Sequence, residues 1–259
     1  MITSTSNQQI KNISALIKKA KERKKQSCFV VEGRKMCLEA PKERLLATYV
    51  SESFANESPY LDQIQGSYEI VSDNVFNAIT DTQTPQGILS IVKMPEYTLD
   101  SLIDGDRTHL LILDSIQDPG NLGTMLRTGE GAGITGVIMN KTTVDIYNPK
   151  TIRSTMGSLY RMPYVIVDNM IETLEYIKGK GVKLYAAHLK GKSFYDQQDY
   201  KGACGFLIGN EGNGLCEEVA ECADTYIRIP MDGQVESLNA AVSAALLMYE
   251  CSRQRRSGS

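Results

Sequence analysis

Apolar residues occur along this chain in two alternating arrangements, short continuous runs and longer stretches with helical spacing. The short runs predict strands at residues 28–31, 46–51, 68–71, 87–92, 110–113, 136–139, 164–167, 183–187, 205–208 and 226–229. The stretches between them predict helices at residues 7–25, 34–41, 60–65, 75–79, 150–160, 170–178, 217–222 and 237–253, with a further helix beginning near Met125. Strands that alternate with helices are typical of α/β folds.

The chain of 259 residues is long enough for two domains. Residues 1–93 form the smaller predicted α/β domain, and residues 94–108, which contain Pro95, Gly105 and several acids, form a predicted linker. Residues 109–259 form the larger predicted domain. The regular alternation there predicts a mostly parallel sheet covered by helices on both faces.

The composition favours a globular protein over a membrane or secreted one. With 42% hydrophobic and 23% charged residues, the chain resembles an ordinary globular protein. It contains no run of about eighteen apolar residues, and its N-terminus lacks the apolar segment of a signal peptide. The sequence therefore predicts a cytoplasmic protein without a membrane partner.

The cysteines and histidines predict no metal site. The six cysteines contain no Cys-x-x-Cys pair, and the two histidines, His109 and His188, are far apart along the chain. Reduced, mostly buried thiols are the expected state in the cytoplasm. A catalytic cysteine is the alternative, although no histidine is placed in the sequence as its obvious base.

The charge is unevenly distributed. The formal net charge is −3, which argues against a protein that is basic throughout. Between residues 11 and 44, however, four glutamates oppose a much larger set of bases: Lys11, Lys18, Lys19, Lys21, Arg23, Lys24, Lys25, Arg34, Lys35, Lys42 and Arg44. Such an excess can bind a polyanion. A solvated helix face is an equally good interpretation of this segment.

One stretch, residues 110–133, has the pattern of a strand, a polar turn and a helix start. Ligands bind at the carboxyl ends of strands in open α/β sheets. The turn presents the amide of Asn121 and, six residues later, the guanidinium of Arg127. A guanidinium fork is suited to phosphate or carboxylate.

Two later loops carry further candidate chemistry. Residues 209–214 read GNEGNG directly after a predicted strand, and their glycines allow close approach of backbone to a ligand. The pattern matches neither the dinucleotide fingerprint nor the phosphate loop, and Glu211 either anchors the loop, binds substrate or caps the next helix. In the third loop, residues 229–239, Ser237 is a candidate N-cap and Asn239 is expected in the first helical turn.

The three loops resemble, in their order, the motifs of the SpoU family, the TrmH-type RNA 2′-O-ribose methyltransferases of the SPOUT superfamily: Asn121-x-Gly123-x-x-x-Arg127, Gly209-Asn210-Glu211-Gly212-x-Gly214-Leu215, and Ile229-Pro230-Met231 with Ser237-Leu238-Asn239. The segment from Asn148 to Gly157 is also similar to the family. Residues 6–33 resemble its ribosomal-protein-like substrate-binding domain.

The resemblance implies a homodimer that uses S-adenosylmethionine and has a C-terminal trefoil knot, a rare chain topology. It implies a catalytic group of five residues, Asn121, Arg127, Glu211, Ser237 and Asn239. It further implies a pocket for the methyl donor formed by Gly209, Asn210, Ile229, Met231, Leu238, Ala187 and His188. The expected RNA contacts are Lys18, Lys19, Arg23, Lys24, Lys25, Arg34 and Arg153.

In this interpretation Arg127 binds the phosphate beside the target ribose. The family's arginine is also proposed as a general base, but a guanidinium group stays protonated under ordinary conditions, so phosphate orientation is the simpler role. Glu211 is expected to hold Arg127 or the donor loop. The predicted function is 2′-O-methylation of ribosomal RNA. The alternatives are a non-catalytic RNA-binding protein with the same fold and a methyltransferase that acts on transfer RNA. A nucleotide-binding oxidoreductase is disfavoured because this chain lacks the glycine fingerprint of that class.

Overall fold

The computed structural model describes residues 1–257. The strands are β1 Cys28–Glu32, β2 Leu45–Ser51, β3 Glu69–Val71, β4 Ile88–Lys93, β5 His109–Leu113, β6 Gly136–Asn140, β7 Tyr164–Val167, β8 Lys183–Ala187, β9 Ser193–Phe194, β10 Cys204–Ile208 and β11 Thr225–Arg228. The α-helices are α1 Gln8–Lys18, α2 Ala20–Gln26, α3 Arg34–Leu38, α4 Glu52–Glu57, α5 Asp73–Ile79, α6 Pro119–Ala132, α7 Pro149–Thr155, α8 Met170–Gly179, α9 Glu217–Glu221 and α10 Ala240–Ser257. All ten predicted strands are confirmed to within one residue at each end.

The chain divides into two units, and this division corrects the predicted domain boundaries. The first unit contains residues 1–96 and 145–160, and the second contains residues 97–144 and 161–257. Residues 145–160 were expected in the larger domain. They belong to the first unit because Tyr147 is buried against Phe29, with ring centroids 4.3 Å apart, and because Tyr160 donates a hydrogen bond to the Met36 carbonyl. The last two residues of the predicted domain, 258 and 259, lie outside the described residues.

The predicted linker is also corrected. Residues 97–108 belong to the second unit and form two short 3-10 helices, Leu99–Leu102 and Gly105–Arg107. Leu102 is fully buried in the second unit's core. Its side chain occupies the space beside Gly136, where an added Cβ would lie 2.3 Å from the Leu102 Cγ.

The first unit contains a four-stranded sheet in the order β1-β4-β2-β3, in which only the β2–β3 pair is parallel. The predicted helix 7–25 is broken at Lys19, whose backbone is extended. The predicted helix 60–65 is only a 3-10 turn, Leu61–Gln63. Helix α4 was not predicted. It forms because the Ser51 side chain accepts the Phe54 amide and Phe54 is buried.

The second unit contains a seven-stranded sheet in which every neighbouring pair is parallel, in the order β7-β6-β5-β10-β8-β11-β9. Leu110 and Ile112 point to the face covered by Leu174 and Ile177 of α8. Because side chains alternate along a strand, Leu111 points to the opposite face, on which α6 and α10 pack. The predicted parallel sheet with helices on both faces is confirmed.

Two predicted helices of the C-terminal half begin or end elsewhere. The predicted helix 150–160 stops at Thr155, because Met156 adopts a left-handed conformation with φ 51°. The final helix begins at Ala240 rather than at residue 237 and extends to Ser257. Within residues 1–257, no helix combines the length and apolar character needed to cross a membrane.

Replacing Leu102 by alanine is expected to lower the free energy of unfolding of the second unit by about 2–5 kcal/mol, because the change opens a cavity in a buried core. Denaturant unfolding measures this change. Leu189→Ala is the matched control, since that side chain is 69% exposed. Gly136→Ala should cost less in the Leu102→Ala background than in the wild type, because the clash with Leu102 is gone. Strictly additive effects of the two substitutions would contradict this packing.

Candidate functional site

Four loops leave the sheet at one edge, next to one another. Strands β5, β10, β8 and β11 are neighbours and parallel, so their carboxyl ends meet, as in other ligand-binding α/β sheets. We call this edge the rim and define it as residues 114–121, 187–188, 209–216 and 229–239. The loops singled out from the sequence therefore converge in the folded chain.

Glu211 connects the second loop to the first. Its carboxylate accepts hydrogen bonds from the Asn121 side-chain amide at 2.9 Å, from the Gln117 backbone amide at 3.2 Å and from the Asp118 backbone amide at 3.4 Å. Partial burial raises the pKa of Glu211, but these hydrogen bonds outweigh that effect and hold the pKa below its usual value. The ionised carboxylate therefore connects, through hydrogen bonds, two loops that are 90 or more residues apart in sequence.

Asn121 extends this connection to the third loop. Its side-chain oxygen accepts a hydrogen bond from the Asn239 Nδ2 at 3.0 Å. The Asn239 Oδ1 accepts the backbone amides of Ala241 and Val242, so Asn239 caps α10. This corrects the prediction that Ser237 is the cap, because the helix starts three residues later. Ser237 is exposed and makes no hydrogen bond within residues 1–257.

The loop after β10 folds back tightly on itself. A Cβ on Gly209 would lie 2.1 Å from the Leu215 backbone nitrogen, so only glycine fits there. Asn210 and Gly214 form a two-residue bridge, and the Asn210 Oδ1 accepts the amides of Gly212 and Asn213. The loop is thus held in one backbone conformation largely by Asn210.

Three polar residues that the sequence analysis did not single out stabilise the loops of the rim: Asp114, Ser115 and Asn140. The buried Asp114 accepts hydrogen bonds from the Asn140 side chain at 2.7 Å and from the Cys216 backbone amide at 2.9 Å. Ser115 adopts a left-handed conformation with φ 60°, and its carbonyl accepts the Asn210 Nδ2 at 2.9 Å. A polar residue directly after an apolar strand, as Asp114 is, was the available sequence signal.

The other residues predicted to bind the methyl donor lie on the neighbouring segments of the rim, at or after the ends of β8 and β11. Ala187 ends β8, and the backbone amide of His188 donates to the Ile227 carbonyl of β11. Burial, together with the nearby Lys190 ammonium, lowers the pKa of His188. Ile229, Met231 and Leu238 on the third loop are each half-buried.

Arg127 lies on α6, six residues beyond Asn121 and therefore about 9 Å further along the helix. Its side chain is exposed and forms neither a hydrogen bond nor an ion pair within residues 1–257. Of the two roles expected for Glu211, contact with Arg127 is not formed within residues 1–257, and the carboxylate accepts hydrogen bonds from Asn121 and from the start of α6. The guanidinium remains accessible to an anion.

The predicted RNA contacts differ in exposure. Arg23 is only 5% exposed, donates to the Leu16 and Ile17 carbonyls and pairs with Asp145 at 2.5 Å, so its prediction as an RNA contact is corrected to a structural role. Arg153 is half-buried and pairs with Asp81 at 2.6 Å. The remaining members of the predicted set are exposed: Lys18, Lys19, Lys24, Lys25 and Arg34. Arg34 lies 4.8 Å from the centre of the Tyr60 ring.

Comparison with known proteins bears out the resemblance read from the sequence. Residues 108–249 match the model of the SpoU rRNA Methylase family, and residues 7–90 match that of the MRM3-like substrate binding domain. The 23S rRNA (guanosine(2553)-2′-O)-methyltransferase RlmP of Bacillus subtilis is 35% identical and is aligned over 96% of this chain and 97% of its own length. The 23S rRNA (guanosine-2′-O-)-methyltransferase RlmB of Shewanella oneidensis is 30% identical over 91% of this chain and 100% of its own.

A solved structure is similar over nearly the whole chain. The SpoU methyltransferase AviRb from Streptomyces viridochromogenes, determined in complex with the cofactor AdoMet, superposes with a TM-score of 0.86 at 26% identity, covering 98% of this chain and 100% of that protein. The α/β fold with its large parallel sheet is therefore shared with SpoU methyltransferases.

Glu211→Ala is expected to increase hydrogen exchange at the Gln117 and Asp118 amides about fivefold, since each loses a hydrogen bond whose net contribution is about 1 kcal/mol. Exchange followed by NMR measures this change. Glu236→Ala, an exposed substitution in the third loop, is the control and should leave both amides unaffected. Unchanged exchange in Glu211→Ala would show that the carboxylate does not connect the loops.

The lowered pKa of Glu211 predicts how the rim responds to acid. A carboxylate with a lowered folded-state pKa contributes stability that is fully present above its unfolded value, about 4.3, and is lost as the pH falls through the folded value. The contacts of Glu211 should thus survive below the usual pKa of a glutamate. NMR titration of the Glu211 carboxyl carbon tests this, and a midpoint at or above the usual value would contradict it.

Proposed function

Because the chain belongs to the SpoU rRNA Methylase family, we propose that it transfers a methyl group from S-adenosylmethionine to a ribose 2′-hydroxyl in ribosomal RNA. The observation that carries the proposal is the convergence at the rim of the family's three motif loops, connected by the Asn239–Asn121–Glu211 hydrogen bonds. The connection keeps the loops in the arrangement that such a transfer requires.

The proposed substrate is 23S ribosomal RNA. Both RlmP and RlmB, which align with this chain over nearly their whole length, are named for guanosine 2′-O-methylation of 23S rRNA. The N-terminal region, proposed to bind the substrate, has exposed bases suited to a phosphate backbone, with Lys18 and Lys19 bordering the same groove. Arg34, stacked on Tyr60, adds a cation beside an aromatic ring, a combination suited to an unpaired base.

The proposed donor site lies at the tight turn of the second loop. Gly209 and Asn210 would offer backbone groups, and Ile229, Met231 and Leu238 would cover the adenine. Ala187 and the neutral imidazole of His188 would border the same space from β8. When bound, S-adenosylmethionine supplies a methyl group activated by a sulfonium.

The proposed role of the catalytic group is mainly positioning. Arg127 binds the phosphate beside the target ribose and orients the hydroxyl; its side chain is exposed and has no partner among residues 1–257, so it is available for this anion. Asn121, Glu211 and Asn239 hold the loops, while the exposed Ser237 hydroxyl contacts the ribose. Holding two reactants in line can contribute on the order of 7–11 kcal/mol in favourable cases.

We also propose the family's homodimer and trefoil knot for this chain, and a cytoplasmic location. The dimer is supported by two exposed apolar side chains on α10, Val242 and Tyr249, which are 47% and 45% exposed. Exposed apolar groups along one helix favour association with another surface. The knot is supported by the position of α10, which packs against α6 and β10 after the third loop.

Arg127→Ala is expected to reduce methylation of ribosomal RNA by about 100-fold or more, the usual cost of losing one preorganised charge contact, while donor affinity and folding stay within threefold of wild type. Transfer of labelled methyl groups to RNA measures activity, and calorimetry measures donor binding. Arg107→Ala, an arginine whose side chain is 83% exposed and lies outside α10, is the matched control. Full activity in Arg127→Ala would remove this residue from the mechanism, and absence of donor binding by the wild type would leave only the RNA-binding alternative.

A further inference from the structure

Three metal-ligating side chains meet at the end of the parallel sheet opposite to the rim. His109 and Cys204 are the first residues of β5 and β10, and Cys251 lies on α10. None is more than 1% exposed. Their ligand atoms all lie within 4.8 Å of one another, and the two Sγ atoms are 3.6 Å apart. We call these residues the His-Cys-Cys cluster.

The register of the sheet brings the cluster together. Strands β5 and β10 are paired so that His109 lies directly beside Cys204, and both side chains point to the same face as Leu111 and Phe206. Helix α10 covers this face, and its buried stripe places Cys251 over the pair. The sequence predicted no metal site because these residues are about 95 and 47 positions apart, a separation that the parallel pairing removes.

One nitrogen of the His109 imidazole is buried without a contact, in the described part of the chain, that would compensate for the loss of water. Its Nε2 is buried and has no hydrogen-bond partner within residues 1–257. The neighbouring ring of Phe206, 5.7 Å away and edge-on, offers none. An unpaired buried polar atom costs about 1–3 kcal/mol. An imidazole nitrogen beside two thiols is, in contrast, a common ligand for zinc.

One guanidinium group lies beside the cluster. The Arg255 Nη2 lies 3.6 Å from the Cys204 Sγ and also donates to the Thr108 and Gly202 carbonyls, which fix its position. Two thiolates neutralise a dication, so a bound Zn²⁺ would leave no uncompensated charge from the ligands and the metal.

We propose that His109, Cys204 and Cys251 bind Zn²⁺ as a structural site that fastens α10 to the sheet. Thiolates at the usual Zn–S distance lie about 3.8 Å apart in a tetrahedral site, close to the 3.6 Å observed for the thiols. Binding releases the two thiol protons. Structural zinc sites usually have four protein ligands, so this three-ligand site should release its metal to a chelator. The inference does not depend on the proposed function.

The test measures metal binding directly. Full-length protein is reduced, stripped with a chelator and titrated with Co²⁺, which reports thiolate ligands by charge-transfer absorption in the near ultraviolet. We expect one Co²⁺ per chain, its displacement by Zn²⁺, and a rise in Tm of about 5 °C when Zn²⁺ exceeds its Kd about 100-fold. Cys204→Ser, Cys251→Ser and His109→Gln should each lose the absorption or weaken binding at least tenfold.

Matched control variants distinguish metal binding at the His-Cys-Cys cluster from metal binding by other cysteines. Cys28→Ser and Cys37→Ser remove buried cysteines of the first unit, and Cys216→Ser removes an exposed one; all three should bind Co²⁺ like the wild type. If a cluster variant fails to fold, stoichiometric and chelator-reversible binding by the wild type, with all controls intact, still supports the site. Absence of uptake by the reduced wild type, retention of binding in both Cys204→Ser and Cys251→Ser, or a Cys204–Cys251 disulfide that persists after reduction would overturn it.

Discussion

The pairing of β5 with β10 is the constraint on which the second unit depends. The two strands are separated by about ninety residues in sequence, yet they lie side by side and in parallel from His109–Cys204 to Leu113–Ile208. Because parallel strands end together, this one pairing brings the Asn121 and Glu211 loops to the same edge. At the other end it places a histidine beside a cysteine. The rim and the His-Cys-Cys cluster therefore both depend on the register of this one strand pair.

Polar groups beneath the rim make this arrangement specific. Apolar burial alone would hold β5 against β10, but it does not fix the direction of the loops that follow. Asp114 fixes that direction, because its buried carboxylate requires hydrogen-bond donors. The Asn140 side chain and the Cys216 backbone amide provide them. The left-handed Ser115 presents its carbonyl to Asn210. Exposed groups such as Glu211 and Asn239 then connect loops whose paths are already defined.

The first unit shows how burial changes the meaning of a charged residue. The basic segment was considered as a whole for contact with a polyanion, but Arg23 is used internally to satisfy the carbonyls at the end of α1 and to hold Asp145. A buried cation needs such partners. The lysines beside it carry no such constraint and keep their charge at the surface. The segment therefore contains both a structural residue and a surface suited to phosphate.

The sequence by itself determined the strands, the α/β class and the family, because short apolar runs and motif loops are local features that tertiary contacts seldom override. It also identified Asn121, Glu211 and Asn239 before their contact was known. Only the tertiary structure decided that residues 145–160 pack with the first unit, that Asn239 rather than Ser237 caps α10, and that His109, Cys204 and Cys251 meet. Each of these depends on which distant segments share a buried surface or a strand register, and local spacing carries no information about that choice.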